Sequence, residues 1–287
     1  MKIILSRKGF DSAAGGYPSP YFVDNGRLLS FPIPEDECNS IDTGRTYADL
    51  RYDKNSSYLD IMKQLGLKKF DGKYTHLDPD VSTTVLNNRS NDWRGLFGQS
   101  SSAQAHLKNK GVSSGDLFLF FGWFRDVVKT ASGYKYVSGT DKHIIWGYLQ
   151  VKEIQKIEHN RDYEAWKSEH PHYYYRTREK NTGYIARKNL SFAPHLSGYG
   201  TFNYKNDLVL TSQGQKKRSV WRLPQYFHPS LGTSVSYHEN LCDKSGKPVW
   251  ELHDDCCILN SVGRGQEFVI EGNDEIKKWA VQLFEVI

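Results

Sequence analysis

The chain has 287 residues, of which 25% are charged and 38% hydrophobic, as in ordinary globular proteins with a buried core. Aromatic residues reach 14%, and the formal net charge of +5 favours anionic partners. The longest apolar run near the start, "IIL", is too short for a signal peptide or a membrane span, so a cytoplasmic location without membrane contact is expected. The spacing of the four cysteines predicts no disulfide framework: Cys38, Cys242, Cys256 and Cys257.

The first third of the chain predicts short strands and helices. "KIILS" at 2–6 predicts a buried strand, and 21–34 predicts two strands joined at Asn25-Gly26, a favourable hairpin turn. Apolar spacing, with serines before it and a glycine after it, predicts helices at 56–66 and 101–111.

The remainder predicts mainly strands. A buried strand at 116–122 continues through a hairpin-like excursion into a second strand at 143–154. A helix is predicted at 162–170, ending before Pro171, and an amphipathic helix from 274 to the end. The pattern predicts one α+β domain over 1–287, undivided or in two sub-lobes, with a mostly antiparallel and partly barrel-like sheet.

The strand at 116–122 runs into Trp123, Phe124 and Arg125. These side chains either belong to the core and its surface, or they present rings and a cation to a nucleobase. Stacking on a ring contributes about 1–3 kcal/mol per base. The "GD" turn before this strand, and the later strand containing Gly147, resemble the core of PUA-like barrels of the EVE and ASCH groups, over about 89–160. That resemblance implies a barrel-like core and a nucleobase held against aromatic rings.

A loop with glycines follows the first strand. Arg7 and Lys8 could meet a phosphate that faces backbone N–H groups of the loop, and Asp11 could act as a base or accept a sugar hydroxyl. The alternative is a polar turn in which Asp11 caps the local backbone. Neither a Walker pattern nor "GxGxxG" is present.

Two patterns raise the question of a metal. "HLDPD" offers His76, Asp78 and Asp80 as cation ligands or acid/base groups, although an Asx-type turn is the favoured interpretation. A zinc-like order H-x3-C…H-x2-C is interpreted as a set of unlinked residues: His238, Cys242, His253 and Cys256. No residue is therefore assigned to a metal, and the cofactor is left unknown.

Further binding candidates lie in three places. Gln99, shortly after Trp93 and Arg94, has an amide that could pair with a base edge. Basic stretches at 170–188 and 216–222 contain aromatic rings and suit a nucleic-acid backbone, or else form a solvated surface. The second stretch provides Arg218 and Trp221.

"GRGQEFVIEG" at 263–272 contributes Arg264, Gln266 and Glu267. A carboxylate beside an arginine can act in catalysis or orient a ligand, and it can equally form an internal salt bridge.

Taken together, these motifs resemble one family: "LSRKGFDSAAGG", "HLDPD", "WRGLFGQSSSAQAHLKN", "GDLFLFFGWFR", "RSVWRLP" and "GRGQEFV". The resemblance, from Lys2 to about Val269, is to the third of the nucleotide modification associated domains of bacteria and phages. It implies a role with modified DNA bases and no established chemistry. Gly183 stands where this family is expected to have a larger apolar residue, so a looser sheet edge is expected there.

The leading hypothesis is a protein that modifies a nucleobase in DNA or a nucleotide, in a bacterial or phage modification or defence pathway. Asp11 and Glu267 are then the candidate catalytic groups, and DNA or a nucleotide is the partner. The alternatives are a non-catalytic reader of a modified base and a structural partner protein, which scattered basic stretches would favour. An enzyme predicts a carboxylate at the bottom of a basic, aromatic pocket, whereas a reader predicts an aromatic cage without an acid/base pair.

Overall fold

A large mixed sheet dominates the computed structural model, which describes residues 1–35, 44–158, 161–174, 179–261 and 265–285. The strands are β1 (Ile3–Arg7), β2 (Ser19–Phe22), β3 (Arg27–Leu28), β4 (Ile33–Glu35), β5 (Arg45–Thr46), β6 (Tyr74–His76), β7 (Leu96–Gln99), β8 (Leu117–Thr130), β9 (Gly133–Tyr136), β10 (Lys142–Lys156), β11 (Thr182–Ala186), β12 (Tyr199–Thr201), β13 (Val220–Pro224), β14 (Ser234–Val235), β15 (Trp250–Leu252), β16 (Cys256–Asn260) and β17 (Glu267–Glu271). The helices are α1 (Tyr58–Gln64), α2 (Ser101–Asn109), α3 (Ala165–Ser168), α4 (Pro171–Tyr174) and α5 (Asp274–Gln282). The predicted α+β class is confirmed.

The large sheet has 11 strands along the order β14-β17-β1-β8-β10-β11-β7, with β2, β3, β9 and β12 attached beside this path. Two smaller sheets have the orders β13-β16-β15 and β4-β6-β5. Most pairs are antiparallel, but β1 and β2 both run parallel to β8. Among the described strands no pairing joins β14 to β7, so the sheet is open and the PUA-like barrel is not confirmed.

Local sequence signals explain the elements that were predicted well. Asn25 accepts a hydrogen bond from the backbone of Arg27 at 3.0 Å, and Gly26 takes the positive φ that the hairpin turn between β2 and β3 needs. Ser57 and Asp60 form a capping box at the start of α1. The predicted helices at 56–66, 101–111 and 274 onward correspond to α1, α2 and α5.

Two predicted elements differ in length. Strand β8 has 14 residues, because its second half is paired by β2, β9 and β10 after β1 has ended. The helix predicted at 162–170 consists only of the four-residue helix α3, and Pro171 begins α4 where its missing N–H costs no hydrogen bond.

Gly183 lies in β11, between β10 and β7, and its surroundings are tightly packed, so the expected loose sheet edge is wrong. A Cβ atom on Gly183 would lie 2.5 Å from the hydroxyl of Tyr173, whose ring is fully buried. That hydroxyl donates a hydrogen bond to Gln155 at 2.7 Å. The ring of Tyr173 therefore fills the space that a larger residue at 183 would occupy.

Buried side chains form a large cluster on the main sheet and a smaller one around α1. No helix within the described ranges is long and apolar enough to cross a membrane.

Candidate functional site

Arg7 and Lys8 point to opposite faces of the large sheet. Consecutive residues of a strand alternate between faces, and β1 pairs with β8 so that Arg7 lies beside Phe121. The Arg7 guanidinium lies 5.8 Å from the Phe121 ring centroid, whereas the Lys8 ammonium lies 4.4 Å from the ring of Phe97 on the other face. The end of β1 therefore delivers one cation to each of two separate groups of side chains.

On the Lys8 face, Lys8, Gln99 and Glu267 form what we call the carboxylate cluster. Oε1 of Glu267 accepts a hydrogen bond from the Gln99 amide at 2.7 Å and lies 3.2 Å from the Lys8 ammonium. The Glu267 side chain is 1% exposed and that of Lys8 9%. Within the described part of the chain, Oε2 of Glu267 has no hydrogen-bond partner.

The carboxylate cluster joins strands that are far apart in the sheet order. Glu267 begins β17 and Gln99 ends β7, which lies at the far end of the strand order. Phe97 of β7 packs against Phe118 and Phe120 of β8, at ring-centroid distances of 4.9 and 5.4 Å. The sheet therefore curves until β7 and β17 meet through side chains, although no described backbone pair joins them.

Asp78 lies next to this cluster, in the turn between β6 and β7. Its Oδ1 accepts a hydrogen bond from the backbone N–H of Gly98 at 2.7 Å and lies 3.3 Å from Nε2 of His170. Burial by itself would raise the pKa of Asp78, but the close contact with His170 and the positive charge of Lys8 outweigh it. The net effect holds the pKa of Asp78 below its usual range, so it is a carboxylate.

Two histidines accompany Asp78, and with His170 these residues form what we call the histidine cluster. Nε2 of His172 lies 3.8 Å from Oδ2 of Asp78. The ring of His76 lies 5.3 Å from that of His172. One potential ligand atom from each of His76, Asp78 and His172 lies within 4.8 Å of the other two.

Gly98 makes room for His172. A Cβ atom at position 98 would lie 2.2 Å from the imidazole of His172. The same residue donates its N–H to Asp78, and the next residue supplies the Gln99 amide to Glu267. The end of β7 thus positions both clusters.

On the opposite face, Arg7, Trp123, Arg125 and Arg218 form what we call the arginine face. The Arg218 guanidinium lies 4.1 Å from the centroid of Trp123, a cation–π contact. Arg125 donates to Asp141 at 2.8 Å, and Asp141 also accepts a hydrogen bond from the indole N–H of Trp123. Burial lowers the pKa of Arg7 and of Arg218, and both groups remain cations at neutral pH.

Asp11 has a local role in its loop. Its Oδ1 accepts from the backbone N–H groups of Ala13 and Ala14 at 2.7 and 2.6 Å. Gly16 donates its N–H to the carbonyl of Asp11 at 2.9 Å. These three N–H groups are occupied within the loop and do not face a ligand, so Asp11 caps the local backbone. Arg218 reaches the loop through a 2.7 Å hydrogen bond to Ser12.

Four other predicted site residues lie elsewhere in the fold. Phe124 and Trp221 are fully buried, and the Trp221 indole donates to Nδ1 of His143 at 2.9 Å, so these two rings are core. Trp93 is buried beneath Arg89, and the Arg94 guanidinium donates a hydrogen bond to the backbone carbonyl of Trp93. Trp93 and Arg94 precede β7, at the opposite end of that strand from Gln99.

In the "GRGQEFV" motif, Gln266 is exposed, and its carbonyl accepts a hydrogen bond from the N–H of Arg7 at 2.8 Å. Arg264 lies outside the described residues.

The metal-like patterns separate from each other in the fold. Asp80 forms a bidentate ion pair with Arg89 and does not join Asp78. Within the described residues, those of the zinc-like order do not bring their ligand atoms together into one close group.

Sequence reasoning named His76 and Asp78 but missed His170 and His172, which contact them. The signal available was "HPH" at 170–172, which was assigned to a basic stretch. A contact between position 78 and positions 170–172 depends on how α4 packs against β7, and no spacing in the sequence encodes it.

The fold and these clusters define an α+β protein with a curved open sheet and a buried Lys–Glu–Gln group beside an Asp–His group. The chain belongs to the nucleotide modification associated domain 3 family, whose family model matches residues 2–271. No curated protein and no solved structure gives a significant match. The family gives the protein a role associated with nucleotide modification, consistent with nucleic acid or a nucleotide as partner.

Proposed function

We propose that this protein is an enzyme that modifies a nucleobase, in DNA or in a free nucleotide, at the carboxylate cluster. The observation that carries the proposal is the buried Glu267 carboxylate, whose Oε1 is held by Lys8 and Gln99 while Oε2 has no hydrogen-bond partner in the described part of the chain. The pathway we propose is DNA modification or defence in bacteria or phages.

The arrangement suits acid–base chemistry. A buried carboxylate with one oxygen fixed and one unpaired can accept a proton or a base N–H through the second oxygen. The Lys8 ammonium can return a proton or stabilise negative charge that develops on the base. The fully buried ring of Phe97 packs against Lys8 and holds its ammonium beside the carboxylate.

The structure offers less support for a reader. A cage requires several rings with accessible faces, but Phe124 and Trp221 are core and Trp123 has Arg218 on its ring. For the arginine face we propose contact with phosphates of a polynucleotide. A free nucleotide would not need it, since the sheet separates that face from Glu267.

The test begins with a thermal-shift screen of the wild-type protein against nucleotides and short DNAs with ordinary and modified bases. A ligand at about 100 times its Kd stabilises the folded state by about 2.7 kcal/mol. Each binder is then incubated with the protein, in buffer alone for reaction with water and with pooled small metabolites as donors of a group to be transferred, and its nucleosides are analysed by mass spectrometry. We expect a base of changed mass, formed by the wild type and not by Glu267→Gln.

Glu271→Gln is the matched control, because Glu271 lies on the same strand, is 45% exposed and pairs only with the surface residue Lys2 among the described contacts. Full product formation by Glu267→Gln would refute the catalytic role of this carboxylate. Binding of modified DNA without any product would favour the reader, and the absence of any nucleotide or DNA ligand would refute both.

A further inference from the structure

We propose that His76, Asp78 and His172 bind one divalent transition-metal ion. This proposal goes beyond the function proposed above and does not rest on it. The three side chains come from β6, the following turn and α4, and their exposed fractions are 6%, 5% and 3%. One imidazole nitrogen of each histidine and one carboxylate oxygen of Asp78 lie within 4.8 Å of one another. A metal about 2.0–2.2 Å from each ligand atom needs separations of about 3–4 Å, so small side-chain movements suffice.

The hydrogen bonds of His172 determine which nitrogen can bind a metal. The side-chain NH2 group of Asn181 donates a hydrogen bond to the backbone carbonyl of His172 at 2.6 Å. The side-chain oxygen of Asn181 must therefore accept the other hydrogen bond, from Nδ1–H of His172, also at 2.6 Å. The proton is thus on Nδ1, and Nε2 presents a lone pair. That lone pair lies 3.8 Å from Oδ2 of Asp78, so two electron-rich atoms lie close together inside the protein.

His76 is arranged in the same way. Its Nδ1 lies 2.6 Å from Oε1 of Glu35, which is 11% exposed at the side chain, and a carboxylate can only accept at this distance. Nε2 is therefore the nitrogen that can serve as ligand. Imidazoles that bind metals almost always donate their other N–H to a carboxylate or carbonyl oxygen. Glu35 and Asn181 supply these two outer partners.

His170 is not one of the ligands we propose. Its Nδ1 accepts from the backbone N–H of His172 at 3.3 Å, so Nε2 carries the proton. Nε2 lies 3.3 Å from Oδ1 of Asp78, which also accepts a hydrogen bond from the backbone N–H of Gly98. His170 and Gly98 together orient Asp78 and leave Oδ2 for the metal.

Two imidazoles and one carboxylate select a class of ion. Mg²⁺ and Ca²⁺ prefer oxygen ligands, whereas imidazole suits Zn²⁺, Fe²⁺ and their neighbours. Three protein ligands are typical of metal sites that keep a position open for water or substrate. Asp78 also lines a cavity of about 100 Å³, which can hold several water molecules beside this carboxylate.

The test uses the full-length protein without substrate. After chelator treatment, the protein is titrated with Zn²⁺ by calorimetry and with Co²⁺ by visible absorption, which reports nitrogen and oxygen coordination. We expect one equivalent bound per chain. Asp78→Asn and His172→Gln should weaken binding at least 100-fold, and the outer variant Asn181→Ala about 10–100-fold.

His195→Gln and His253→Gln are matched controls, since both histidines are exposed and the second belongs to the zinc-like order. Neither should change binding. The proposal is overturned if the wild type binds neither ion, or if His253→Gln abolishes binding while Asp78→Asn does not. Should the cluster variants not fold, the wild-type stoichiometry and Asn181→Ala decide the question. Metal binding without any nucleotide or DNA ligand would support this metal site and refute the proposed function. A nucleotide or DNA ligand without metal binding would refute the metal site and leave the proposed function standing.

Discussion

Removing Lys8 should leave the Glu267 carboxylate buried without its cation. The Glu267 side chain is 1% exposed, and its remaining described side-chain partner is the Gln99 amide at 2.7 Å. Breaking a buried ion pair by removing one partner costs about 3–5 kcal/mol, and the hydrogen bond that Gln99 retains places Lys8→Met at the lower end, about 3 kcal/mol. A loss of that size lowers the melting temperature by about 6–12 °C in domains of 150–250 residues, and by somewhat less in a longer chain.

The double variant Lys8→Met/Glu267→Gln tests the same reasoning from the other side. A neutral amide is much less costly to bury than a lone carboxylate, so the double variant should be more stable than Lys8→Met alone. Urea and thermal unfolding of the wild type, both single variants and the double variant provide the cycle. Strictly additive losses, or a loss below about 1 kcal/mol for Lys8→Met, would refute the view that burial of this pair governs its energetics.

Three further predictions concern other parts of the molecule. Gly98→Ala should displace His172, because the added Cβ would lie 2.2 Å from its ring. Zn²⁺ binding measured by calorimetry should then weaken at least 10-fold, and an unchanged affinity would contradict the proposed ligand geometry. Arg218→Gln should weaken DNA binding and lower the slope of log K against log salt by about 1 without affecting a free nucleotide, whereas equal losses for both ligands would contradict the division between the two faces. Burial, assisted by the positive charges of Arg7 and Arg218, lowers the pKa of His143 in the folded protein. The free energy of unfolding should therefore not depend on this group above its unfolded pKa of about 6.5, and should fall below that pH by up to about 1.4 kcal/mol per pH unit. His143→Gln should flatten the profile of melting temperature between pH 7 and pH 5, and a variant as steep as the wild type would assign that slope to other groups.

Local chemistry explains what the sequence predicted well. Asn25-Gly26 and the box of Ser57 and Asp60 act within a few residues, so a turn and a helix start could be read directly. Glu267 and Gln99 were both named as candidates, but their mutual hydrogen bond spans 168 positions and depends on the curvature of the sheet.

The failures have a common physical origin. Whether an aromatic ring in "WFR" (123–125) or "SVWR" (219–222) lies in the core or on the surface depends on what packs over it. Tertiary packing buries Phe124 and Trp221 completely. Arg7 and Lys8 looked like one basic pair, but strand alternation placed them on opposite faces. The histidine cluster could not be predicted, because residues 76–78 and 170–172 meet only through tertiary packing.

The carboxylate cluster also constrains how the protein folds while it is being synthesised on the ribosome. Its members stand at positions 8, 99 and 267, and β1 lies in the sheet between β8 and β17. A nascent chain must therefore carry β1 with one edge unpaired until β17 has emerged. Non-local pairing of this kind folds slowly. No incomplete chain that lacks β17 can contain the cluster, so translation that stops early yields protein without the proposed activity.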